Sequence, residues 1–230
     1  MNEFFMNSVY IGVAISLGTY GIGVLIRRKI PHPAVNPLLI SILLTIIILR
    51  VLKVDYESFN YSAKYISYLI TPATVALAIP LYKNLHLLKK NIKAIVIGLT
   101  CGTFAGFGAI LLLAKLFKLD HQEYVTIIPK SITTAVGMDL SKEMGGIVTI
   151  TVACIVVTGI LGTIIAEPVY KLLKIKHPIS KGLGLGASSH VMGTSKAMEI
   201  GEIEGAMGSL AIVVCSLITV VGASIFANLG

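Results

Sequence analysis

The chain has 230 residues, of which 55% are hydrophobic and only 13% charged, and its mean hydropathy is +0.88. Soluble domains carry about 25% charged residues, so this composition excludes an ordinary soluble domain and points to a polytopic membrane protein. The net charge of +8 does not call for nucleic acid. The basic residues gather at the ends of apolar runs, as Arg27, Arg28 and Lys29, then Lys83, Lys89, Lys90 and Lys93, then Lys171, Lys174, Lys176 and Lys181. That is the positive-inside pattern of membrane helices.

Met1 to Asn7 contains no lysine or arginine, so it lacks the charged start of a secretory leader. The run Ser8–Ile26 is therefore expected as a retained first transmembrane helix. Further apolar runs follow at Val35–Leu52, Tyr65–Tyr82, Ile92–Leu116, Ile147–Ala166 and Ala206–Ala227. Each exceeds the lower limit of about 17 residues for a spanning helix. Pro72 and Pro80 predict that the third run is bent or broken, or kinked and absorbed by packing. Gly18, Gly21 and Gly23, Gly102-xxx-Gly106 and Gly201-xxx-Gly205 offer close helix approach, and by themselves settle no oligomer. Cys101, Cys154 and Cys215 fall in separate apolar runs without CxxC spacing, so free thiols are expected.

If the basic clusters lie inside, two segments are left without a full crossing. Residues 122–146 enter and leave on the outside, and 182–204 enter and leave on the inside. Each follows a long helix, so 92–146 and 147–204 read as helix-plus-hairpin units of opposite orientation, the shape of an inverted-topology repeat. A discontinuous helix pair crossing near the midplane fits equally well. The expected fold is an all-α polytopic membrane protein, a single transmembrane domain over 1–230. It comprises about six full helices and two re-entrant or discontinuous helical hairpins. Residues 1–91 are scaffold helices and 205–230 the final helix.

The hairpin segments are the polar ones. In "IPKSITTAVGMDLSKEMGG", residues 128–146, Pro129 suits the first position of a helix. Lys130, Ser131, Thr133 and Thr134 then occupy its first turn, with Asp139 and Lys142 at i, i+3 beyond. Unpaired N–H groups, a positive dipole end, a lysine and hydroxyls suit a small anion such as a carboxylate. The alternative is an ordinary outside loop. In "GLGLGASSHVMGTSKAMEIGEIEGAMG", residues 182–208, Gly182, Gly184 and Gly186 resemble half of a nucleotide loop, but no strand precedes them. A helix is expected to start near Thr194, which places Ser195, Glu199 and Glu202 on one face with Lys196 beside them. His190 is a candidate proton carrier or a structural hydrogen-bonding residue.

Both stretches resemble the signature segments of the LrgB/CidB family, and the resemblance extends over essentially the whole chain. Thr194-Ser195-Lys196 keeps the usual small residue before the lysine, whereas Ala135 stands where the family commonly has proline. The resemblance implies a multi-pass protein of the bacterial cytoplasmic membrane, paired with a small LrgA/CidA-type membrane protein. It also implies either of two activities. The family was first described as antiholin-like, modulating murein hydrolase activity and autolysis. It also includes the plastid glycolate/glycerate translocator, and some bacterial pairs are associated with pyruvate uptake.

The leading expectation is a secondary transporter of small monocarboxylates. Its substrate site is expected to comprise Lys130, Ser131, Thr133 and Thr134 from one hairpin, and His190, Gly193, Thr194, Ser195 and Lys196 from the other. Asp139, Glu199 and Glu202 are candidates for coupling a proton or cation, or for balancing a lysine. The alternative is a holin/antiholin-like membrane regulator. An enzyme is not expected: neighbouring Lys130-Ser131 and Ser195-Lys196 do not face each other on a helix, and no GxSxG or HExxH motif is present. The expected partners are the carboxylate, the bilayer, the LrgA/CidA-type protein and further copies of the chain. No cofactor, metal or nucleic acid is expected.

Overall fold

The computed structural model describes residues 2–8, 10–30, 32 and 35–230, the side chain of Thr74 excepted, and the described residues are helical without strands. Val9, within the first predicted span, lies outside them. The chain divides into two compact units, residues 1–76 and 77–230.

The first unit contains α1 (Asn2–Asn7), α2 (Ile11–Lys29), α3 (Pro37–Leu52) and α4 (Tyr56–Ala63), then a 3₁₀ stretch Lys64–Leu69 and the start of α5 (Ile70–Lys83). α3 is 16 residues long, shorter than the expected run, because Asn36 caps it. The Asn36 side chain accepts from the Leu38 and Leu39 amides, and Pro37 takes the first position. Lys53 then closes it in the left-handed conformation. α2 and α3 pack through hydroxyls: Thr19 Oγ1 lies 2.9 Å from Ser41 Oγ and 3.1 Å from Thr45 Oγ1. Such hydrogen bonds hold helices together where lipid removes the hydrophobic driving force. The third predicted run is not interrupted: it lies in one helical stretch, Tyr56–Lys83, that tightens to 3₁₀ in its middle. The run's first residues form the 3₁₀ stretch, and α5 starts two residues before Pro72. Pro80 lies inside α5.

The second unit contains α6 (Leu85–Phe117), α7 (His121–Ile127), a 3₁₀ turn Ile128–Ser131, α8 (Thr134–Glu143), α9 (Val148–Leu172), α10 (Pro178–Ile200) and α11 (Glu202–Ala227). α6 starts earlier than the apolar run, because nothing between Leu85 and Ile92 breaks a helix. Its 33 residues extend about 50 Å, beyond a hydrocarbon core of about 30 Å, so its lysine-rich first turns reach past that core. Among the described residues, five stretches are long and apolar enough to cross a membrane: Ile11–Lys29, Tyr56–Lys83, Leu85–Phe117, Val148–Leu172 and Glu202–Ala227. With the shorter α3, they correspond to the expected six runs.

α6 and α11 run in the same direction. Ile95 and Leu99 pack with Ala206, Met207, Ala211 and Cys215, while Phe107 meets Gly222 and stacks on Phe226. α9 runs the opposite way. Each of α6 and α9 is followed by a helical hairpin, and these two hairpins position the site.

Candidate functional site

The first hairpin is α7, the 3₁₀ turn and α8. Its open end is closed by Gln122 Nε2 donating to the Gly145 carbonyl at 3.2 Å. A capping box starts α7: Asp120 accepts from the Glu123 amide at 2.7 Å, and Glu123 accepts from the Asp120 amide at 3.0 Å. A hydroxyl relay fixes the hairpin to α9. Thr126 Oγ1 accepts from the Ile147 amide at 2.8 Å, Thr151 Oγ1 donates to the Thr126 carbonyl at 2.8 Å, and Ser141 Oγ lies 2.6 Å from Thr151 Oγ1.

The helix in this hairpin starts later than the sequence suggests. Pro129 sits in the 3₁₀ turn, not at a helix start, and Lys130 and Ser131 follow it there. Ile132 (ψ 179°) and Thr133 (ψ 148°) are extended, as β-branched residues favour. They separate the 3₁₀ turn from α8. Thr133 is the N-cap of α8 and Thr134 its first residue; the Thr133 side chain makes no capping bond. Lys130 is half-buried, donates to Ser131 Oγ at 3.1 Å and lies within electrostatic reach of Cys154 on α9. Asp139 and Lys142 are exposed along α8.

The second hairpin is α10 itself, broken at His190 (φ 45°, ψ −128°). Residues 178–189 run back along α9, and 191–200 return. Leu185 and Ala197 consequently share one small core with Ala166, although a straight helix would hold them about 18 Å apart. Gly193 permits the fold-back, since a β-carbon there would collide with the Leu185 carbonyl. Gly182 and Gly186 belong to no nucleotide loop: they are helical and lie directly against the backbone of Glu204 and Gly208 on α11. The second half starts at Val191, not near Thr194, and Gly201 ends it. Glu202 therefore belongs to α11, and Ser195, Glu199 and Glu202 do not share one helix face.

The tips meet beside α9. His190 Nε2 lies 3.1 Å from the Ile155 carbonyl. Ile155 also packs against Gly137 of α8, and the 3₁₀ turn packs against α10 and α11 as well as α9. Ser189 is fully buried against Gly162, and Ser188 Oγ lies 3.1 Å from Ser189 Oγ. The Ile155 carbonyl and Ser189 were not among the predicted site residues. A main-chain acceptor leaves no trace in composition, whereas Ser189 stood beside His190 in the motif.

Thr194 is also fully buried, against Gly208, and its Oγ1 is the buried side-chain oxygen without a hydrogen-bond partner among the described residues. A helical threonine often bonds the carbonyl four residues back. Here that carbonyl belongs to His190, at the break. Ser195 is exposed.

The structure does not bring the two lysines together. Lys196 pairs with Glu167 of α9 at 2.8 Å and with Glu199 at 3.4 Å. Glu167 lies thirteen residues along α9 from Cys154, about 20 Å. One small anion cannot bridge that distance. Glu167 directly follows the apolar run Ile147–Ala166 and precedes the lysine cluster, where a carboxylate is ordinary and gives no signal of a site. Glu202 lies 4.0 Å from Lys83, both exposed. Among the described residues no group of three or more histidine, cysteine or acidic side chains is placed to hold a metal ion.

Residues 16–229 match the LrgB-like family. The Antiholin-like protein LrgB of Bacillus subtilis (strain 168) is 35% identical over 223 residues, 96% of each chain. Proteins of the same name from Bacillus cereus (strain B4264) and Bacillus anthracis (strain CDC 684 / NRRL 3495) are each 36% identical over 217 residues, 92% of this chain and 93% of theirs. No solved structure matches. The long apolar helices, the paired hairpin motifs and these relatives agree: the chain is a multi-pass membrane protein and belongs to the LrgB-like family.

Proposed function

We propose that the chain is a secondary carrier of small monocarboxylates, of the glycolate, glycerate, lactate or pyruvate class, working in the bacterial cytoplasmic membrane. One observation carries this reading: α-helix is interrupted in both hairpins beside the same stretch of α9, by the 3₁₀ turn and two extended residues over 128–133 and by the break at His190. Uncoiled backbone at membrane depth is tolerated only inside protein or against a water-filled cavity, and paired half-helix N-termini are a recurring anion site in transporters. In this proposal the hairpins are re-entrant and form an inverted-topology repeat. Lys130 supplies the charge, while Ser131, Thr133, Thr134 and the first amides of α8 orient the carboxylate. His190, Gly193 and Thr194 form the opposite wall. Lys196 acts outside the direct site, with Glu199 balancing its charge, and Asp139, Glu199 and Glu202 remain the coupling candidates.

The second reading, an antiholin-like regulator of murein hydrolase activity, is favoured by the names of the relatives. Both readings include an LrgA-type partner and further copies of the chain. Uptake of labelled pyruvate and glycolate into proteoliposomes, with and without such a partner, separates them. Saturable uptake that disappears in folded Lys130→Ala supports the carrier. Release of a trapped dye without saturable uptake would sink it in favour of the regulator.

A further inference from the structure

A separate cavity of about 660 Å³ opens where α9 ends and both halves of α10 come together. Its wall carries Lys171, Lys174, Lys176, Lys181 and Lys196 against only Glu167 and Glu199. Lys196 is held by those two carboxylates at 2.8 and 3.4 Å. The other four lysines form no ion pair among the described residues. The wall is also braced, since Tyr170 donates through its hydroxyl to the Lys181 carbonyl at 2.7 Å. Four uncompensated ammonium groups around one concavity focus a positive potential. Lysine serves as a point-charge ligand for phosphate, and the volume is that of a small-molecule site.

We infer that this cavity binds a phosphate-bearing anion, drawn either from a soluble phosphorylated molecule or from the headgroup of an anionic lipid. The inference is independent of the carrier and regulator readings, because the cavity lies about 20 Å along α9 from the hairpin tips. Glu167 and Glu199 repel such a ligand and hold Lys196 away from it. They make the site weaker than its lysine count alone would set, and they bring α10 into the response, because Lys196 belongs to that hairpin.

The test uses the full chain in nanodiscs of zwitterionic phosphatidylcholine, or of the same lipid with phosphatidylglycerol, and pyrophosphate as the soluble probe. In phosphatidylcholine, pyrophosphate is expected to bind saturably at one per chain. Affinity should fall at least tenfold in Lys174→Gln/Lys181→Gln but less than twofold in Lys115→Gln/Lys118→Gln, which removes equal charge elsewhere. Glu167→Gln should tighten binding severalfold, an effect no loss of folding produces. If the headgroup is the natural occupant, phosphatidylglycerol will suppress pyrophosphate binding and will be retained through purification by the wild type, and not by the Lys174/Lys181 variant. Equal responses from the two double variants, or no saturable binding of either probe, would overturn the inference.

Discussion

His190 Nε2 donates to the backbone carbonyl of Ile155, 3.1 Å away, and so pins the tip of the second hairpin to α9 from within its helical ladder. The contact requires His190 to hold a positive φ of 45°, a region that suits glycine. Backbone geometry and side-chain bond therefore oppose each other at one residue.

Substitution at this position separates the two. His190→Ala loses the hydrogen bond and keeps the strained backbone, whereas His190→Gly loses the bond and relieves the strain. His190→Ala is expected to be less stable than His190→Gly by about 1–2 kcal/mol, read as thermal unfolding in detergent. Equal stabilities would mean that the break at residue 190 stores no strain.

The lysines should behave differently, because they occupy different places. Lys130→Ala is predicted to abolish pyruvate or glycolate binding while the protein stays folded. Lys196→Ala should keep binding within about threefold and lower stability by roughly 0.5–1 kcal/mol, the scale of a partly exposed ion pair. The reversed pair Lys196→Glu/Glu167→Lys should recover most of that stability. Identical binding losses in Lys130→Ala and Lys196→Ala would contradict the separation.

Helix packing gives a third test. A methyl at Gly186 would press on the Gly208 backbone of α11, whereas a methyl at Gly102 or Gly106 of α6 would meet nothing within 4 Å. Gly186→Ala should destabilise by about 1–3 kcal/mol. Gly102→Ala should be neutral or stabilising by up to about 1 kcal/mol, although its spacing in the sequence looks like a packing motif. Detergent melting curves of the two variants decide between these outcomes.

The hydroxyl relay that holds the first hairpin supplies the last. Thr151→Val preserves shape and leaves the Ser141 hydroxyl and the Thr126 carbonyl without their shared partner. A loss of about 1–3 kcal/mol is expected, together with faster limited proteolysis between residues 120 and 147. Unchanged protection of that segment would show that the relay does not anchor it.

Hydropathy and charge placement alone determined the membrane class, the approximate positions of the long helices and the two polar segments between them. Apolar length and flanking lysines report directly on solvent, so these features survive without knowledge of neighbours. The helix starts expected at Pro129 and near Thr194 lie within a few residues of the observed starts at Thr134 and Val191. Tertiary structure decided the rest. The start of α8 at Thr134 rather than Pro129 follows from how Ile132 and Thr133 turn against α9. The separation of Lys196 from Lys130 follows from the fold-back of α10, which carries Lys196 toward Glu167. Side-chain spacing along a sequence predicts shared faces only while the helix continues, and at His190 and Gly201 it does not. The partners across those breaks, the Ile155 carbonyl and the Glu167 carboxylate, lie 35 and 29 positions upstream of His190 and Lys196. Only packing could bring them there.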